Sequence, residues 1–189
     1  MIQIDPVVYF FFPLLLLTAP INWLAAALFA GIFHELSHIA MILLLKGKLF
    51  HMRIGIGGAE IQAGLQGNGR SFLSILSGPL GSLLLVFFCR QFPRVAICGV
   101  VQGVFNLLPI YPLDGGKMMG LAINALFPEF ADKLLRAIEW TVLLSLAIGA
   151  AAAWLICSGG IVPILLFFDI TGKVIMRKKP CKQGPNKIQ

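Results

Sequence analysis

Residues 34 to 38 read His, Glu, Leu, Ser, His. On a helix, side chains four apart share one face, so His34 and His38 can point two imidazoles at a single cation. Glu35, one step round the helix, then reaches a water molecule at that cation and is placed to take its proton. A polar patch that only packs helices is the competing reading of these residues. A hydrolytic zinc site needs a third protein ligand and one open position. Outside the motif the candidates are His51, Glu60, Asp114, Glu129, Asp132, Glu139 and Asp169. Asp114 stands out. It follows an apolar segment interrupted by Asn106, Pro109 and Pro112, and Gly115 and Gly116 come directly after it. Irregular backbone at membrane depth is tolerated only where it is buried in protein or lines a wet cavity, which suits a ligand for a hydrolytic metal. Asn106 is a candidate for orienting substrate backbone or steadying an oxyanion, with a helix-capping or interhelical hydrogen bond as the alternative.

The elements that must position these groups are apolar. Of 189 residues, 58% are hydrophobic and 12% charged, with a mean hydropathy of +0.90. Soluble domains carry about 25% charge, so the chain reads as an all-α polytopic membrane protein. A span needs roughly 20 apolar residues. Apolar runs at Val7 to Thr18, Ile21 to Leu45, Ser71 to Phe88, Val95 to Leu108, Trp140 to Cys157 and Ile161 to Ile170 suggest about six spans in a single domain, 1–189. The first run lacks a basic flank and a cleavage site, so it reads as a retained span. Pro79 is expected to kink the third span. Its small residues Ser74, Ser77, Gly78, Gly81 and Ser82 should let a neighbouring helix approach closely. Pro128 to Arg136 reads as a short amphipathic helix. His51 to Ile56 and Ala59 to Ala63 alternate in strand fashion about Gly57 and Gly58, the signature of a small membrane-associated β-hairpin.

Charge sets the orientation. With six spans and both termini cytoplasmic, thirteen Lys and Arg residues fall on the cytoplasmic side and only Arg90 and Arg94 outside. The net charge of +7 is concentrated in a basic tail, 173–189, where attraction to anionic lipid is the default reading. No basic stripe interleaved with aromatics points to nucleic acid. Cys89, Cys98, Cys157 and Cys181 have no metal-ligand spacing and read as small apolar residues. Met118 and Met119 read as packing residues, His51 as interfacial, and Asp169 as a surface-level ion pair with Lys173.

The HELSH helix followed by FNLLPIYPLDGGK resembles the site-2 protease family of intramembrane zinc metalloproteases (peptidase M50), whose motifs are HExxH and an Asn, Pro, Asp, Gly segment. The wording NLLPIYPLDGG looks closest to the bacterial sporulation factor-processing branch. The resemblance is densest over Gly31 to Lys117 and implies a three-helix catalytic core at about 21–117. It also implies one zinc ion held by His34, His38 and Asp114, with Glu35 as the catalytic glutamate. SGPLGS at Ser77 to Ser82 is similar to the family's Gly-Pro segment but lacks the asparagine often found there, and Ser37 stands where glycine is common. The implied activity is cleavage of a membrane-spanning or membrane-associated protein in a bacterial cell membrane. A strand edge near Ile54 and Ile56 would hold the unwound substrate. A regulatory membrane partner is a further expectation. A metal-ion transporter or non-catalytic metal-binding membrane protein is the reading from another class, since intramembrane His and Asp also mark ion pathways.

Overall fold

The structure is a computed structural model, and it describes residues 2–4, 20–55, 58–65, 67–157 and 171. The expected first and last spans and the basic tail therefore lie outside the described residues.

Five helices follow one another: α1 (Ile21–Leu44), α2 (Asn68–Leu84), α3 (Pro93–Asn106), α4 (Asp114–Leu126) and α5 (Ala131–Cys157). A short 3-10 turn, Leu85–Phe88, extends α2. Strands β1 (Ile2–Ile4), β2 (Lys48–Gly55) and β3 (Gly58–Gly64) form one small sheet in the order β1-β2-β3.

Helix α1 is built on a four-residue ridge. Ala26, Ala30, His34, His38 and Ile42 are buried, while Leu28, Phe29, Ile32, Leu36, Leu43 and Leu44 are exposed. A soluble helix hides its large apolar side chains and shows its polar ones; α1 does the reverse. That pattern is expected of a helix whose solvent is hydrocarbon and whose polar groups face the bundle. α1 and the α2 segment Asn68–Phe88 are each long and apolar enough to cross a membrane. The end of α1 is a left-handed cap: Lys46 has φ 57°, its N–H bonds the Leu43 carbonyl at 3.0 Å, and the Gly47 N–H bonds the Ile42 carbonyl at 2.8 Å. This reversal delivers the chain into β2.

Helix α2 runs antiparallel to α1 and remains helical through Pro79. The small residues do allow close approach: a Cβ on Gly81 would meet the Ser37 hydroxyl at 2.0 Å. The same device recurs on α3, where Gly99 and Gly103, four apart, pack against the backbone of Ser82 and Pro79. α3 has 14 residues, about 21 Å at 1.5 Å per residue, which is less than the roughly 30 Å of a hydrocarbon core.

Two expectations are corrected. The segment after Asp114 is a 13-residue helix, α4, rather than an open corner. Gly115, Gly116 and Gly120 lower its intrinsic propensity, but Ile123 and Met119 pack against Ala131, Leu135 and Ile138 of α5 and hold it in register. The amphipathic stretch from Pro128 and the fifth span merge, from Ala131 on, into one 27-residue helix. Beside the helices stands the small sheet. β2 and β3 pair antiparallel, with Gly55 opposite Gly58. β1 adds in parallel to β2, with Ile4 opposite Ile54. Strand β2 is thus central.

Candidate metal centre

His34 and His38 are buried on the inner ridge of α1, with 2% and 8% of their surface exposed, and Asp114 is 5% exposed at the first turn of α4. The Asp114 Oδ2 atom lies 3.1 Å from His34 Nε2 and 3.0 Å from His38 Nε2, and the two Nε2 atoms are 3.3 Å apart. Zinc bonds of about 2.0 to 2.1 Å in tetrahedral geometry place neighbouring ligand atoms roughly 3.3 Å apart. The three donor atoms therefore already stand close to the edges of one coordination tetrahedron, and among the described residues they are the group able to hold a metal ion.

The donor chemistry strengthens the fit. His38 Nδ1 lies 2.7 Å from the carbonyl oxygen of Ser74. A carbonyl only accepts, so this nitrogen carries the proton, and in the neutral ring Nε2 is left as a bare lone pair. That lone pair faces a carboxylate oxygen, another acceptor. Two acceptors 3.0 Å apart in a buried site call for a shared cation, and a divalent metal supplies it.

Each ligand is held from outside. His34 Nδ1 is 2.8 Å from the hydroxyl of Ser82, which is fully buried. Lys117 Nζ donates to Asp114 Oδ1 at 3.1 Å, leaving Oδ2 for the imidazoles. The His38 ring lies so close to α2 that a Cβ on Gly78 would sit 2.1 Å from its Nε2. Asp114 owes its place to the loop behind it. A Cβ on Gly115 would meet the Leu107 carbonyl oxygen at 2.1 Å, and one on Gly116 would meet the Ile110 carbonyl carbon at 2.4 Å. Ile110 and Leu113 are anchored against Leu143 of α5, and the Tyr111 N–H donates to Glu139 Oε1 at 3.4 Å.

The remaining predicted residues are placed as follows. Glu35 is half-buried on α1 beside its two histidines, and Asn106 is half-buried at the last residue of α3. Ile54 is in the central strand, paired with Ile4 on one side and Ala59 on the other. An added strand would pair with β1 or β3. Ile56 lies outside the described residues. The sequence reading missed Ser74, Ser82 and Lys117 as partners of the ligands. Their signal was present only as serines among small packing residues and as one lysine in a charge tally.

Comparison with known proteins gives a consistent answer. Residues 73–150 match the model of peptidase family M50. The chain is 27% identical over 143 residues to stage IV sporulation protein FB of Bacillus subtilis (strain 168), covering 67% of this chain and 49% of that protein. It thus spans about half the length of that curated relative. The fold is similar to that of the site-2 protease from Methanocaldococcus jannaschii, with a TM-score of 0.70 and 14% identity over 99% of this chain and 94% of the other. The chain is thus similar to peptidase family M50 over residues 73–150, and His34, His38 and Asp114 come together in one place as a group that could hold a metal ion.

Proposed function

We propose that this chain is an intramembrane zinc metalloprotease that cuts a peptide bond in a membrane-spanning or membrane-associated protein. The single observation that carries the reading is the convergence of His34 Nε2, His38 Nε2 and Asp114 Oδ2 within 3.3 Å of one another, with Glu35 next to His34 in the chain. His34, His38 and Asp114 would hold one zinc ion, which would supply an acidified water and a polarised carbonyl. Glu35 then takes the proton of the attacking water and returns it to the leaving amide nitrogen. Asn106, ending α3, is placed to steady substrate backbone or the developing oxyanion.

The catalytic core is residues 21–117, within one domain that runs the length of the chain. A multi-pass arrangement in a bacterial cell membrane, with both termini cytoplasmic, follows from the charge asymmetry. Because α3 is too short to span alone, the loop carrying Asp114 stays below the membrane surface, level with the histidines. A substrate helix hides its peptide bonds in its own hydrogen bonds and must unwind before attack. The sheet offers edges at β1 and β3 for the unwound strand, on either side of the central strand that carries Ile54. The basic tail meets anionic lipid, and a separate membrane protein regulates access.

A metal transporter has no use for an acid beside a closed three-ligand site, and that observation disfavours it. The test is coexpression with membrane-anchored pro-proteins, comparing wild type with Glu35→Gln. Cleavage by wild type that is lost in Glu35→Gln while zinc is retained supports the protease. Zinc movement across vesicles that persists in Glu35→Gln overturns it.

A further inference from the structure

Ser82 is a serine in an apolar membrane helix, fully buried, with its hydroxyl 2.8 Å from His34 Nδ1. It is pinned from the other side as well. Gly99 of α3 lies so close that a Cβ there would sit 2.6 Å from the Ser82 carbonyl oxygen. One residue of α2 is therefore wedged between the helix that carries the histidines and the helix that leads to Asp114. Ser74 serves His38 through a backbone carbonyl, which no side-chain substitution removes. Ser82 serves His34 through a hydroxyl, which a substitution does remove.

We propose that Ser82 is a positioning residue of the metal centre: its hydroxyl accepts the Nδ1 proton of His34 and thereby fixes the ring with the Nε2 lone pair turned to the ion. This rests on the metal-site reading above. A neutral imidazole carries one donor and one acceptor nitrogen, and the hydrogen bond at one nitrogen decides which role the other plays. A hydroxyl can both give and accept. In the metal-free protein Ser82 can donate to Nδ1 while His34 Nε2 donates to Asp114, so the buried ring is satisfied in either state. Loss of the hydroxyl harms the metal-bound form more, because there Nδ1–H loses the acceptor it bonds at 2.8 Å.

The test uses the full chain in detergent, with zinc as the probe. Ser82→Ala should weaken zinc binding, measured against a competing chelator, by about 10- to 100-fold, the range for outer partners of metal-bound histidine. It should also narrow the gap between the thermal midpoints of zinc-loaded and chelator-treated protein. Ser82→Cys, which is slightly larger and offers only a weak acceptor, should fall between Ser82→Ala and wild type, and it carries the test if the alanine variant does not fold. Cobalt-substituted Ser82→Ala should show a shifted visible spectrum. If both midpoints drop together with the gap unchanged, or zinc affinity stays at the wild-type value in either folded variant, Ser82 is only a packing residue and the proposal fails. If wild type itself binds no zinc, the metal-site reading fails first.

Discussion

His38 and Ser74 stand in a relationship that predisposes the site for a cation: the Nδ1–H of one donates to the backbone carbonyl of the other at 2.7 Å. That bond leaves His38 Nε2 with a lone pair directed at the Asp114 carboxylate, 3.0 Å away. Metal removal should therefore be felt as a loss of stability. A ligand present at about 1,000 times its Kd stabilises by about 4 kcal/mol, and for a chain of this size each kcal/mol moves the midpoint by about 2 to 4 °C. Chelation should lower the thermal midpoint by roughly 10 °C, and added zinc should restore it; scanning calorimetry or a fluorescence melt in detergent checks this.

Gly78 and Gly120 should respond in opposite ways to the same change. A methyl on Gly78 would collide with the His38 ring, whereas a Cβ on Gly120 meets nothing within 4 Å. Gly78→Ala should displace the imidazole and reduce zinc affinity at least 10-fold, at an overpacking cost of about 1–3 kcal/mol. Gly120→Ala should leave zinc binding intact and stabilise α4 by about 0.5–1 kcal/mol. Equal effects of the two substitutions on zinc titration would refute the packing account.

The turn that presents Asp114 should be as demanding as the ligand itself. Gly116→Ala places a carbon 2.4 Å from the Ile110 backbone, so the loop must move and the carboxylate moves with it. We expect activity below about a tenth of wild type, since small misplacements in a catalytic site cost up to about 100-fold. Substituting Gly149, whose surroundings are open, should cost less than 2-fold.

The inverted pattern of α1 gives a prediction about the membrane. Leu36 is 53% exposed and Ala30 is fully buried on the opposite ridge. Leu36→Arg should impair membrane integration by about 2.5–3.5 kcal/mol, whereas Ala30→Leu should integrate normally and lose activity through overpacking of α1 against its neighbours. Glycosylation-reporter insertion assays and activity measurements separate the two.

What could be read from the sequence followed from how local each signal is. His34, Glu35 and His38 are set by one helical turn, and Asp114 was singled out by the prolines and glycines around it, so the three side chains that the structure brings together were legible without knowledge of helix packing. Ser82 was not, because its partner depends on the register between α1 and α2, which small residues leave open. Helix α4 was hidden by Gly115, Gly116 and Gly120, residues whose value lies in letting the Leu107–Ile110 backbone approach and not in helix propensity. Strand β1 was missed for a similar reason. Three residues carry little periodicity, and their partners Met52 to Ile54 lie about fifty positions away. The Gly99 and Gly103 contact on α3 shows in the sequence only as a four-residue spacing, which does not say which helix packs against it.

The most direct test of the account is zinc-edge X-ray absorption on the purified chain, joined to metal content, for wild type and for Asp114→Ala. The account predicts one zinc per wild-type chain with two imidazole nitrogens and at least one oxygen at about 2.0–2.2 Å, and in Asp114→Ala at least a tenfold loss of affinity with a changed oxygen shell. Stoichiometric zinc in Asp114→Ala with an unaltered spectrum would contradict it, since the ion would then not be held where α1 and α4 meet.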